Sequence, residues 1–157
     1  MSRTKFNVIR DTQEKKNFRT FANYDEVEKV IDLSLPTGDY TIEGLEETLC
    51  IERKHNISEF AKNINEDRFE RELVRMSKFY YAYLILEFGL DEVDNYPNVN
   101  CVPYKIRPKI KVRGPFIFKR LAEISTKYQI QIIPCGHPKY AEAMVMSIMK
   151  RVWENER

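Results

Sequence analysis

The sequence predicts an α/β sandwich, a mixed central sheet flanked by helices. Three observations carry that expectation. Residues 39–43 and 48–54 are short strand candidates on either side of Gly44-Leu45-Glu46-Glu47, which reads as a hairpin loop of about four residues. The run YLILEF at Tyr83–Phe88 is almost continuously apolar, the mark of a strand covered on both faces. After it, residues 115–128, 130–133 and 137–153 read as helix, strand and helix.

The remaining elements follow in order. Phe6, Val8 and Ile9 mark a first strand over Lys5–Arg10, and residues 12–23 are polar without a period. Val27, Val30 and Ile31 fall at i, i+3 and i+4, so a helix capped by Asn23 is expected from Tyr24 to about Leu33, broken by Pro36 and Gly38. Ser58 is placed to cap a short helix. Phe69, Leu73, Met76 and Tyr80 line one face of a helix from about Glu66 to Tyr80. Residues 89–104 read as an irregular connection, Ile130–Ile133 as a buried strand closed by Pro134, and Tyr140, Ala143, Met144, Ile148 and Val152 as the apolar stripe of the last helix. At 157 residues the chain has the length of one domain.

Composition narrows the function classes. The chain is 43% hydrophobic and 32% charged with a net charge of +2, which excludes a disordered tail and an overall polycation. Nucleic-acid binding therefore requires local basic patches. Cys50, Cys101 and Cys135 are scattered, so neither a zinc site nor a disulfide framework is expected. No segment approaches eighteen apolar residues, and the natural expectation is an intracellular soluble protein without a membrane partner, cytoplasmic if prokaryotic or viral.

The hairpin makes a geometric prediction. With residues 44–47 as the loop, Glu43 pairs with Thr48, Tyr40 with Ile51 and Asp39 with Glu52. Glu52 and Lys54, two apart on one strand, share a face, and Arg53 points away. Asp39, Glu52 and Lys54 should converge. Two opposed carboxylates repel, and a bound cation relieves that repulsion. Magnesium suits such a site, because it accepts one or two carboxylates and keeps waters. It would polarise a phosphate and activate a water, with Lys54 orienting that water or stabilising charge.

The ordered segments IRDTQE, LPTGDY, IERK and DRFERE resemble the nuclease domain of XPF-type structure-specific endonucleases and the archaeal Hef nuclease, members of the PD-(D/E)xK superfamily with the signature GD…ERKxxxD. The resemblance covers roughly residues 5–150 and implies a restriction-endonuclease-like three-layer sandwich. It further implies a Mg2+- or Mn2+-dependent DNA endonuclease that leaves a 5′-phosphate and a 3′-hydroxyl. By the same resemblance, Asp39 and Glu52 are metal ligands, Arg53 lends its main-chain carbonyl, and Lys54 is catalytic. Asp11, a further possible ligand, and Glu14 match the acids of a D-x-R-E element, and Arg68 matches a basic helix residue. The chain departs from the pattern at Gln13, at Glu72 and at Ser58, which stands where the family has Asp. Glu59, beside Ser58, is a candidate replacement. These departures motivate the alternative, a catalytically weakened DNA-binding or scaffold domain of the same fold.

Lys105, Arg107, Lys109, Lys111 and Arg113 alternate with Ile106, Pro108, Ile110 and Val112, so an extended chain would place five cations on one side, toward DNA phosphates. Arg68 and Arg75 form a second possible phosphate contact. The expected partner is DNA, branched or partly single-stranded, with a homodimer or a partner nuclease subunit implied by the family.

Overall fold

The computed structural model describes residues 5–17, 21 and 23–157. Six strands form one sheet in the order β2-β1-β3-β4-β5-β6, made of β1 (Phe6–Arg10), β2 (Val27–Asp32), β3 (Tyr40–Ile42), β4 (Leu49–Lys54), β5 (Tyr81–Leu86) and β6 (Gln131–Pro134). β3 is antiparallel to both its neighbours, and the other pairings are parallel. Five helices cover the sheet: α1 (Ile57–Asn63), α2 (Asp67–Met76), α3 (Leu90–Asn95), α4 (Gly114–Tyr128) and α5 (Pro138–Asn155). The mixed sheet with helices is the expected sandwich.

Strand alternation divides the core into two halves. Cys50 of β4 and Leu84 and Leu86 of β5 pack toward Phe60 of α1, Leu73 of α2 and Ile117 of α4. Leu49 and Ile51 of β4 and Ile85 of β5 pack toward Val145 and Met149 of α5. Every residue of β4 is buried, because helices cover both of its faces. Trp153 packs on Phe6, with ring centroids 5.7 Å apart, so α5 closes on its own sheet.

Several expected elements differ. The segment read as a helix from Tyr24 is the strand β2, paired in parallel with β1. Val27, Val30 and Ile31 satisfy helical spacing, but Val27 and Val30 pack on the α5 side of the sheet across a register shift, and β-branched residues gain from pairing. Among the described residues of 12–23, Thr12–Asn17 form a 3₁₀ helix; residues 18–20 and 22 lie outside the described residues. Asn56, not Ser58, caps α1, its side chain accepting from the Glu59 N–H. α2 ends at Met76, leaving Tyr80 81% exposed rather than on the buried face. The connection after β5 contains α3, a helix in a stretch expected to be irregular. β6 is a partly exposed edge strand instead of a buried one. The buried face of α5 runs through Ala141, Val145, Met149 and Val152, and Tyr140 and Met144 lie outside it.

Candidate active site at the end of strands β3 and β4

The hairpin has the anticipated register, with Tyr40 opposite Ile51. Gly38 sets the approach. Its φ of +83° is left-handed, and a Cβ there would lie 2.6 Å from Cys50 Sγ and 3.2 Å from the Ile51 carbonyl. Only glycine brings the chain this close to β4 while delivering Asp39. Gly38→Ala should therefore cost about 2 kcal/mol of stability, from backbone strain and the clash together. Thermal unfolding checks this, with loss of the Asp39 position as the functional consequence.

Asp39 is fixed by its backbone and its carboxylate. Its N–H donates to the Ile51 carbonyl at 2.8 Å, and its Oδ2 accepts the Arg53 N–H at 2.8 Å. Glu52 and Lys54 point to the α1/α2 side of β4, where Lys54 Nζ lies 3.5 Å from Glu52 Oε2, donates to Asn63 Oδ1 at 2.9 Å, and sits 4.9 Å from the centre of the Phe69 ring. Asp39 lies close enough to Glu52 that its charge raises the Glu52 carboxyl. The three residues whose convergence the strand period predicts are brought together.

The electrostatics are those of crowded acids. Burial pushes the Asp39 carboxyl up to about 7, opposed by hydrogen bonds from Glu52 and the Arg53 N–H. Burial also raises Glu52 well above the carboxylate range, with the Asp39 charge and a hydrogen bond from Glu72 adding to it and Lys54 opposing. Glu72 of α2 is thus the third carboxylate at the pair. Its approach follows from α2 packing under β4, which local sequence does not reveal. Asn63, the other partner missed, is likewise supplied by a helix end.

The ladder bears on the main-chain oxygen of Arg53. Carbonyls of Thr48 and Lys54 accept from β5, whereas those of Leu49 and Ile51 accept from the β3 side. Alternation puts the Arg53 carbonyl in the second row, one step past the last β3 contact and beside Asp39.

The Arg53 side chain faces the opposite way, as expected, and it has a role that sequence reasoning did not assign. Its Nε and Nη2 donate to Glu14 at 2.8 and 3.1 Å, and Nη1 donates to Glu87 at 2.9 Å. Tyr40 Oη also donates to Glu14, at 2.8 Å, and His55 Nδ1 lies 3.2 Å from Glu87. Burial opposes the guanidinium charge, but Glu14 and then Glu87 hold it above its ordinary value. A buried arginine requires such partners, and that requirement is the signal that could have found them.

Other expected site residues are placed as follows. The Asp11 carboxylate accepts backbone N–H groups of Leu35 at 2.8 Å and Gln13 at 3.2 Å, so it shapes the loops beside β1. Glu14 serves Arg53. Glu59 is exposed in the first turn of α1, and the acid beside Glu52 is Glu72 instead. Ser58 Oγ lies 3.5 Å from Cys101 Sγ, facing the connection after β5. Arg68 is exposed on α2, and Arg75 Nε reaches Thr37 Oγ1 at 3.3 Å, next to Gly38.

The basic segment is not an extended strip. Tyr104–Lys109 is a 3₁₀ helix containing Pro108, so the strict two-sided alternation of its cations is lost. Lys105, Lys109, Lys111 and Arg113 are exposed, but Arg107 turns inward and donates to the carbonyls of Val102 and Val99 at 3.1 and 2.9 Å.

The residues present fit a divalent cation. Glu52 is buried and Asp39 half-buried beside it, burial pushes both carboxyls up, and a cation would relieve the cost of their charges. Among the described residues no three His, Cys, Asp or Glu side chains form a preformed cage. Ligation by Asp39, Glu52 and a main-chain oxygen, with water completing the shell, matches magnesium's habit.

The family model described as the ERCC4 domain matches residues 9–148. No curated protein sequence matches. XPF from Aeropyrum pernix shares the fold at a TM-score of 0.67 and 21% sequence identity, over 93% of this chain and 64% of that one. XPF from Aeropyrum pernix in complex with DNA gives a TM-score of 0.63 at 21% identity, over 98% of this chain and 67% of that one. The chain thus spans about two thirds of the length of these structures. With the family match running from Ile9 to Ile148, through both halves of the GDY…IERK element, the chain belongs to the ERCC4 domain family.

Proposed function

We propose that this chain is a metal-dependent DNA endonuclease that hydrolyses phosphodiester bonds, structure-specific for flaps, forks or junctions, in DNA repair, recombination or replication. The observation that carries the reading is the placement of Lys54 Nζ 3.5 Å from Glu52 Oε2 on β4, the strand whose Arg53 N–H holds the Asp39 carboxylate at 2.8 Å. Asp39, Glu52 and the Arg53 carbonyl would hold Mg2+ or Mn2+, which when bound supplies Lewis-acid stabilisation of charge on the phosphate. Glu72 supports Glu52 from behind.

The chain's own contribution centres on Lys54. Its ammonium has three donors, and Asn63 and Glu52 fix its direction. A remaining donor is available to a phosphate oxygen, where it stabilises the charge that grows during in-line attack and orients the water. The products are a 5′-phosphate and a 3′-hydroxyl. Arg68 and Arg75 on α2, with Lys105, Lys109, Lys111 and Arg113, are the proposed phosphate contacts. Arg107 supports them from within.

The test is cleavage of branched, flapped and single-stranded DNA with magnesium or manganese, against a chelated control. Lys54→Ala is expected to lower cleavage on the order of 10²-fold or more, the scale of removing one donor from developing charge. Cleavage by Lys54→Ala at the wild-type rate would sink the proposal.

A further inference from the structure

We infer that Tyr104 is a stacking platform for an unpaired nucleobase, which makes single-stranded DNA beside the cut a recognised part of the substrate. The inference takes its substrate from the nuclease reading above. Tyr104 is 81% exposed, although a phenol ring of this size gains from burial. Its ring is not loose. The Arg107 guanidinium lies over one face, 4.9 Å from the centroid, and is itself fixed by its hydrogen bonds to the carbonyls of Val99 and Val102. The ring is thus backed on one side and open on the other.

A cavity of about 280 Å³ adjoins it, lined by Asn98, Tyr104, Arg107, Pro108 and Arg113. Each wall has a chemistry that suits a nucleotide. The aromatic face stacks on any base, Asn98 carries both a donor and an acceptor for a base edge, and exposed Arg113 suits a phosphate. From Asn95 to Ala122 the sequence contains no Asp or Glu, so no acid of this segment repels the backbone. A base inside a duplex offers no free face, so the platform selects unpaired nucleotides.

The platform also stands at the correct end of the sheet. β4 and β5 are parallel, with Lys54 opposite Leu86, and the segment bearing Tyr104 leaves from the end of β5. Ser58 Oγ, four residues beyond Lys54, lies 3.5 Å from Sγ of Cys101 in that segment, three residues before Tyr104.

The experiment is binding of the full chain, with metal chelated, to a short single-stranded oligonucleotide carrying a fluorescent adenine analogue, and to the blunt duplex of the same sequence. Tyr104→Ala should weaken single-strand binding about tenfold and remove the quenching of the analogue. Tyr104→Phe should retain both, and duplex affinity should change less than about twofold in either variant. Equal single-strand affinity and quenching in wild type and Tyr104→Ala, with the wild type binding well, would overturn the platform and leave the nuclease reading intact. A loss of equal size on duplex would also overturn it. A wild type that binds neither DNA would remove both readings together.

Discussion

Asp39→Asn is expected to stabilise the metal-free protein at alkaline pH and to lower the proposed DNA cleavage. The folded state raises the Asp39 carboxyl from 3.8 to about 7. Between those values the folded protein holds a proton that the unfolded chain has released. Stability therefore falls as pH rises through this window, and the full penalty is present above about pH 7. Below about pH 4 the group is protonated in both states and the penalty vanishes. Glu52, also raised, acts with the same sign.

Asparagine keeps the local contacts. Its Oδ1 accepts the Arg53 N–H, and its amide donates to Glu52, so the hydrogen bonds survive and the repulsion does not. The variant should gain about 1–3 kcal/mol over wild type above about pH 8, a figure reduced because Asp39 is partly solvated. The gain should shrink to nothing near pH 4. Urea unfolding at the two pH values, with metal chelated, measures it. An Asp39→Asn protein less stable than wild type at alkaline pH would contradict the electrostatic account. Cleavage should fall on the order of 10²-fold or more, an exchange of activity for stability that strained sites commonly show.

Arg53→Leu has the opposite sign and a larger size. The guanidinium makes three charge-assisted hydrogen bonds with Glu14 and Glu87, and the side chains of all three residues are almost wholly buried. Truncation leaves two carboxylates buried without it, at a cost of about 3–5 kcal/mol. That is a large share of a typical total stability of about 5–15 kcal/mol. Combining Arg53→Leu with Glu14→Gln should recover part of the loss, because one stranded charge is removed. The main-chain oxygen of residue 53 is unchanged, so the folded fraction should still cut. A loss under about 1 kcal/mol by chemical denaturation would show that the network does not hold β1, β4 and β5 together.

The contrast between these residues shows what the sequence made legible. The period of two along β4 separates Glu52 and Lys54 from Arg53 whatever the rest of the fold, and the register with β3 is as expected although the connection is six residues, from Glu43 to Thr48, rather than four. The site's core follows from those local constraints. Glu72, Asn63 and the Glu14–Arg53–Glu87 network depend on which helices and strands pack against β4, contacts between residues far apart in sequence. β2 carries helical spacing because a register shift in its pairing with β1 breaks the two-residue period, and that pairing is not visible in local sequence. The basic segment was misjudged because alternation of charge implies a strip only in an extended chain, whereas Tyr104–Lys109 closes into a 3₁₀ helix with Arg107 turned inward.

The central claim is that Lys54, held by Glu52 and Asn63, acts on the phosphate beside the Asp39–Glu52 pair. The most direct measurement is the single-turnover cleavage rate of forked DNA by wild type and Lys54→Ala, at saturating enzyme and with magnesium or manganese. The account predicts metal-dependent cleavage by the wild type, and a rate for Lys54→Ala lower on the order of 10²-fold with DNA affinity little changed. Equal rates, or a wild type that binds the fork and never cuts it with either metal, would contradict it.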